Sequence, residues 1–134
     1  MARLSPHDGL KPVSVKKAAE LKAVGAVFVD IRALFEHNAQ SIPGSISCPL
    51  ENLPKHIDAA GKPVVFYCNS GSGTEEAAGM LRPLTDGPAY QLAGGLDAWK
   101  QQGYAVEGGD KGALVGADLL RRLLTGLDQA NKKD

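Results

Sequence analysis

The chain has 134 residues, 43% of them apolar and 22% charged, as an ordinary folded globule does. One domain of this size buries roughly two-thirds of its unfolded surface. Fifteen basic residues cancel fifteen acidic ones, which leaves no electrostatic footprint for nucleic acid or a membrane.

The amino-terminal stretch MARLSPHDGLKPVS holds no apolar core of signal-peptide length, and no run approaches a membrane span. A cytoplasmic location is therefore expected. Leu10–Val13 reads as a short strand. Ser14 is an N-cap for a helix over Val15–Val24, with Val15, Ala18, Leu21 and Val24 near helical spacing and Gly25 as the stop. Ala26–Ile31 is a buried-type strand that carries Asp30 near its carboxyl end, where open α/β sheets place ligand crevices. Arg32 to Ser41 reads as polar and irregular, Ile42-Pro43-Gly44 as a turn, and Ser45–Cys48 as a short strand stopped by Pro49. Leu50–Ala59 reads as a short helix despite Pro54.

The central stretch is Val64–Leu81, VVFYCNSGSGTEEAAGML. Val64–Tyr67 is β-branched and aromatic, the composition of a buried strand. Cys68 follows, then Asn69, Ser70, Gly71, Ser72 and Gly73, small and polar, and from Thr74 a helix to about Leu81 or Arg82, ending near Pro83. A strand, a cysteine, a small polar loop and a helix can aim several N–H groups at one sulfur and stabilise negative charge there. The opposing reading is an inert buried thiol at a strand end. Cys48, in a strand-like segment, reads as core.

Tyr90–Leu92 is a brief strand, and Gly94-Gly95 opens a helix over Leu96–Gln102 that presents Trp99. Strands alternating with helices predict an α/β fold with a mostly parallel sheet. Residues 1–107 are expected to form that domain. Residues 108–134 divide into a Gly-rich linker and an amphipathic helix from Leu114 to Leu127. That helix either packs on its own domain or makes a homodimer or partner contact. Two cysteines without C-x-x-C or Cys/His spacing give no metal or other cofactor site, and free thiols are expected.

Three stretches resemble the rhodanese (sulfurtransferase) superfamily, in particular its small single-domain members. VFVDIRALFEHNAQSIPGSISCPLENL is similar to the Asp-x-Arg…Glu…Ile-Pro-Gly-Ala motif through Asp30, Arg32, Glu36, Ile42, Pro43 and Gly44. The Cys68 loop resembles Cys-Arg-Ser-Gly-x-Arg-Ser. GGLDAWKQQGYAVE resembles the closing signature through Gly94, Gly95, Trp99, Gly103 and Val106. The resemblance spans Leu10–Glu107 and implies a rhodanese-like domain with a five-stranded, mostly parallel sheet flanked by helices. It also implies a cysteine that carries transferable sulfur as a persulfide. Two features depart from the pattern. Asn69 and Gly73 stand where the family often has loop arginines, and Gln40-Ser41 stands where a Gly-His pair usually precedes Ile-Pro-Gly.

The expected activity is sulfur transfer with Cys68 as nucleophile. Asn69, Ser70, Gly71, Ser72, Gly73 and Thr74 would form the substrate cradle through backbone N–H groups and hydroxyls. The partners expected are a small-molecule or protein persulfide donor and a thiol or cyanide-like acceptor. His7, His37 and His56 lie away from the cysteine and read as surface residues. Asp30 and Arg32, near the carboxyl edge of the sheet, read first as stability residues that hydrogen-bond loops or pair with Glu36, and second as lining the site. A Cys-x5-Arg phosphatase or arsenate reductase loop would need an arginine where this chain has Thr74. Without arginines the loop favours a persulfide or mercaptopyruvate over dianionic thiosulfate. The alternative is a non-catalytic rhodanese-fold binding or regulatory module.

Overall fold

A computed structural model describes residues 10–108. The expected linker and amphipathic helix lie outside these residues, apart from Gly108. Five strands, β1 (Lys11–Val13), β2 (Val27–Asp30), β3 (Ile46–Ser47), β4 (Val64–Tyr67) and β5 (Ala89–Leu92), form one sheet in the order β1-β5-β4-β2-β3. Every pairing is parallel. Such sheets need cover on both faces, and β4 accordingly reads as a continuous apolar run.

Alternation along β4 divides the core. Val64, Phe66 and Cys68 enter one layer with Ala77, Ala78, Leu81 and Leu84. Val65 and Tyr67 enter the other with Val15, Ala18, Leu92, Leu96 and Trp99. Helices α1 (Val15–Ala23) and α5 (Gly95–Gln101) cover the second face; α3 (Ser72–Glu76) and α4 (Ala78–Leu81) cover the first. Ser14 caps α1 as the sequence predicts, its side chain accepting the Lys17 N–H at 3.1 Å. Val24 leaves the apolar stripe, because the helix has already ended and its side chain faces solvent.

Three segments differ from the sequence reading. Arg32–Ser41 is not irregular throughout, since Leu34–Ala39 forms a short helix, α2. It buries no residue and so has no apolar periodicity to detect. The Glu36 carboxylate supports it by accepting the Ala33 N–H at 3.2 Å. Leu50–Ala59 is not a helix beyond one 3-10 turn, Leu50–Asn52. Pro54 removes a donor and forces Leu53 to an extended φ of −72° and ψ of 142°. Its apolar residues Leu50, Leu53, Ile57 and Ala59 reach the core from a loop instead. The helix after Cys68 starts at Ser72 and breaks at Ala77 into α3 and α4. Gly73 and Gly79 weaken it on either side, and Pro83 ends it in a 3-10 turn.

Candidate functional site

Cys68 stands one residue past the carboxyl end of β4, the central strand. Tyr67 holds the residue before it. Its ring is fully buried, its hydroxyl accepts the Ile42 N–H at 3.0 Å, and Ser45 Oγ lies 2.8 Å away. Burial pushes the phenol up to about 12. The Ile42-Pro43-Gly44 turn is thus tied directly to the strand that delivers the cysteine.

The loop after Cys68 is anchored by its carbonyls. Leu96 and Asp97, in the first turn of α5, donate their N–H groups to the oxygens of Cys68 and Asn69 at 2.8 and 2.9 Å. This contact requires Gly95. A Cβ there would lie 2.5 Å from the Cys68 oxygen, and its φ is +62°. With the carbonyls held outward, the chain turns through Gly71, whose φ is +99°. The Gly71 N–H donates to Cys68 Sγ at 3.1 Å. A donor aimed at sulfur stabilises negative charge on it. Gly73 leaves the space beside the sulfur open, for a Cβ there would sit 3.4 Å from Sγ.

The hydroxyls are placed differently from the sequence expectation. Thr74 is fully buried and gives its single proton to the Gly71 carbonyl at 2.9 Å. Its oxygen lies 4.0 Å from Sγ, so it braces the loop rather than donating to sulfur. Ser70 and Ser72 pair with each other at 3.2 Å on the exposed side. Asn69 bridges two side chains. It accepts from Arg32 Nη1 at 3.1 Å and donates from Nδ2 to Glu36 Oε2 at 3.0 Å.

Arg32 pairs with Asp30, not with Glu36. Asp30 is fully buried and receives Arg32 Nε at 2.9 Å, Arg32 Nη2 at 2.7 Å and the Arg32 backbone N–H at 2.9 Å. Arg32 also donates to the Gln40 carbonyl. Burial alone would raise the Asp30 carboxyl, but hydrogen bonds from Arg32 and His37 outweigh it and hold the group below its ordinary value. Burial lowers the Arg32 guanidinium, and Asp30 more than reverses this, leaving it raised. His37 is not a plain surface residue, because its Nδ1 lies 2.9 Å from Asp30 Oδ2. An Asp accepting the N–H two residues on is an Asx turn, a local signal already present in Asp30-Ile31-Arg32.

Cys48 is a free, buried thiol in the core, pushed up by burial and by Asp30. Trp99 is likewise core, its Nε1 donating to the Ala105 carbonyl at 2.9 Å. Beside the Cys68 loop, lined by Ser70, Gly71, Ser72 and Gly94 but not by Cys68, lies a cavity of about 380 Å³. It is bounded by α3 through Ser72 and Glu75 and by the carboxyl ends of β1 and β5 through Pro12 and Gln91. Nothing in the sequence pattern singled out Pro12 or Gln91. Among the described residues, no three His, Cys, Asp or Glu side chains converge as metal ligands, and no helix is long and apolar enough to cross a membrane.

The chain is similar to known proteins over the same region. A family model for the rhodanese-like domain matches residues 14–102. The chain is 32% identical over 92 residues to the thiosulfate sulfurtransferase GlpE of Ectopseudomonas mendocina, covering 67% of this chain and 84% of that protein. It is 33% identical over 96 residues to an uncharacterized protein of Synechocystis sp., covering 70% of this chain and 52% of that relative, so it spans about half the relative's length. In structure it resembles the thiosulfate sulfurtransferase of Pseudomonas aeruginosa with a TM-score of 0.66 at 22% identity. That match covers 75% of this chain and 20% of the other, and is a likeness of fold. Parallel sheet, cysteine loop and matched residues together make this chain a member of the rhodanese (sulfurtransferase) superfamily.

Proposed function

We propose that the protein is a sulfurtransferase in which Cys68 carries sulfane sulfur as a persulfide. The observation that carries this reading is the Gly71 N–H directed at Cys68 Sγ at 3.1 Å, in a loop whose carbonyls are tied away from the sulfur. In the first half-reaction the Cys68 thiolate attacks the outer sulfur of the donor. A new S–S bond forms while the donor's own sulfur bond breaks, and the electron pair leaves with the donor fragment: sulfite from thiosulfate, a thiolate from a persulfide. In the second, a thiol or cyanide-like acceptor attacks the outer sulfur and Cys68 departs as thiolate.

Gly71 N–H and the space beside Gly73 would hold the terminal sulfur, with Asn69, Ser70 and Ser72 on the rim and Thr74 bracing the turn from below. With Asn69 and Gly73 in place of arginines, the loop gives a dianion only dipoles. Thiosulfate is therefore the weaker donor, and a protein or small persulfide, or mercaptopyruvate, the better one.

Intact mass after incubation with thiosulfate, and separately with a persulfide, tests this. Wild type should gain one sulfur atom, lose it to cyanide or thiol, and gain none as Cys68→Ser. No adduct from any donor would overturn the reading and favour a rhodanese-fold binding module, consistent with a loop lacking cations.

A further inference from the structure

We propose that the carboxyl-terminal segment, residues 114–127, folds back as a helix onto the outer face of α2, where Leu34 and Phe35 lie open. The proposal is independent of the sulfur-transfer reading.

α2 presents two unlike faces. Glu36 and His37 face the domain: Glu36 Oε2 accepts the Asn69 carboxamide N–H at 3.0 Å, and His37 Nδ1 lies 2.9 Å from Asp30 Oδ2. With 3.6 residues per turn, Leu34, Phe35, Asn38 and Ala39 fall on the opposite side, and all four are exposed. Phe35 is 75% exposed and Leu34 56%, side by side on a helix that buries no residue of its own. So short a helix is marginal by itself and depends on packing. Its outer face is therefore a surface without its cover.

The chain's own exit points to the cover. Ser41 and Glu107 exchange backbone hydrogen bonds, both of 2.8 Å, in an antiparallel bridge. The next residue accordingly passes the carboxyl end of α2. Gly108 lies so close there that a Cβ would sit 2.9 Å from the Asn38 oxygen and 3.2 Å from the Ala39 oxygen. Residues 109–113, Gly-Asp-Lys-Gly-Ala, reach about 17 Å when extended, whereas α2 is about 9 Å long. The sequence that follows places Val115, Leu119, Leu120, Leu123, Leu124 and Leu127 on one side of a helix, and Asp118, Arg121 and Arg122 on the other. An apolar stripe of that breadth calls for a partner surface, and α2 is the one the chain meets first.

A second apolar depression, lined by Ala19, Pro43, Trp99 and Tyr104, is a poorer seat. It lies behind the exit, beside residues already passed, and Tyr104 already covers Trp99 with their ring centres 4.8 Å apart. Docking on α2 has a consequence for the cysteine loop as well. It steadies Glu36, and through Glu36 the Asn69 side chain next to Cys68.

Nuclear magnetic resonance of the full-length chain tests this. Leucine methyl groups between residues 119 and 127 should show Overhauser contacts to the Phe35 ring, unchanged on dilution and absent between labelled and unlabelled copies. Replacing Leu119→Asp and Leu123→Asp together should remove these contacts. It should also speed hydrogen exchange at His37 and Gln40, whose N–H groups close α2, by about tenfold. Phe35→Ser should speed the same amides, and unchanged exchange in Val64–Tyr67 verifies that each variant is folded. Leucine contacts to Tyr104 or Ala19 would put the segment in the other depression and overturn the inference. Contacts between copies would make α2 a dimer face and overturn it too, as would α2 amides that exchange equally fast with and without the two aspartates.

Discussion

Arg32 Nη1 donates to the Asn69 carboxamide oxygen at 3.1 Å, and so links the end of β2 to the residue immediately after Cys68. The same guanidinium lies 5.9 Å from the centre of the Tyr67 ring, on the residue before it. One buried side chain thus touches both neighbours of the cysteine. Its position is fixed by two parallel hydrogen bonds to Asp30.

Replacing Arg32 by alanine leaves the Asp30 carboxylate buried without its charged partner, which should cost about 3–5 kcal/mol. Urea unfolding measures it. Asn69→Ala removes one part-buried hydrogen bond from the Arg32 guanidinium and one exposed hydrogen bond to the Glu36 carboxylate and should cost about 1.5–3 kcal/mol, yet slow sulfur loading. If the two substitutions prove equally destabilising, Asn69 is more than a tether.

Gly95 and Gly44 both have positive φ, at +62° and +80°, but only Gly95 has backbone pressed against it. Gly44→Ala should cost about 1 kcal/mol, from backbone strain alone. Gly95→Ala adds a collision with the Cys68 carbonyl, breaks the docking of the loop on α5, and should abolish loading. Equal thermal midpoints for the two variants would contradict this.

Gly73→Ala should separate stability from activity. Gly73 lies inside α3 without positive φ, so alanine should stabilise the helix by about 1 kcal/mol. The same methyl group, 3.4 Å from Sγ, takes up room beside the sulfur. A higher midpoint with slower persulfide formation is the expected pair of readings. Unchanged loading would show that the second sulfur lies elsewhere.

Acid and alkali should unfold the protein through different residues. Asp30 is held below its ordinary 3.8, so its stabilisation is present above that pH and is lost as pH falls through the lower folded value. Tyr67 is raised from 10.0 to about 12, so its stabilisation is present below 10 and is lost as pH rises towards 12. Unfolding midpoints between pH 2 and 12 should be flat from about 5 to 9 and fall at both ends. In Tyr67→Phe the alkaline fall should be reduced and the midpoint lower throughout, because the Ile42 N–H loses its partner, at about 1–3 kcal/mol.

The strands and the cysteine loop were legible because their signals are local. Val64–Tyr67 is apolar throughout, Ser14 precedes a helical stripe, and the loop residues after Cys68 are small. What escaped depends on contacts distant in sequence. Gly95 reads as a helix opener, but its role is set by the Cys68 carbonyl 27 residues earlier (95 − 68). Arg32 reads as a loop anchor or a partner of Glu36, whereas the fold delivers Asp30 to one edge of its guanidinium and Asn69 to another. The segment Leu50–Ala59 reads as a short helix, but Pro54 ends it after one turn, and the loop beyond still delivers Ile57 and Ala59 to the core. Thr74 is a hydroxyl in the right loop, with its proton already spoken for.

The central position of β4 gives the two ends of the site different lifetimes. Val64 to Tyr67 are fully buried between β2 and β5, so their amide hydrogens should exchange with deuterium only when the whole molecule opens. Ser70 is exposed, a few residues on, and its amide can exchange through local opening alone. The boundary falls at Cys68, and a thiol so placed keeps a rigid footing while its surroundings rearrange around each incoming sulfur.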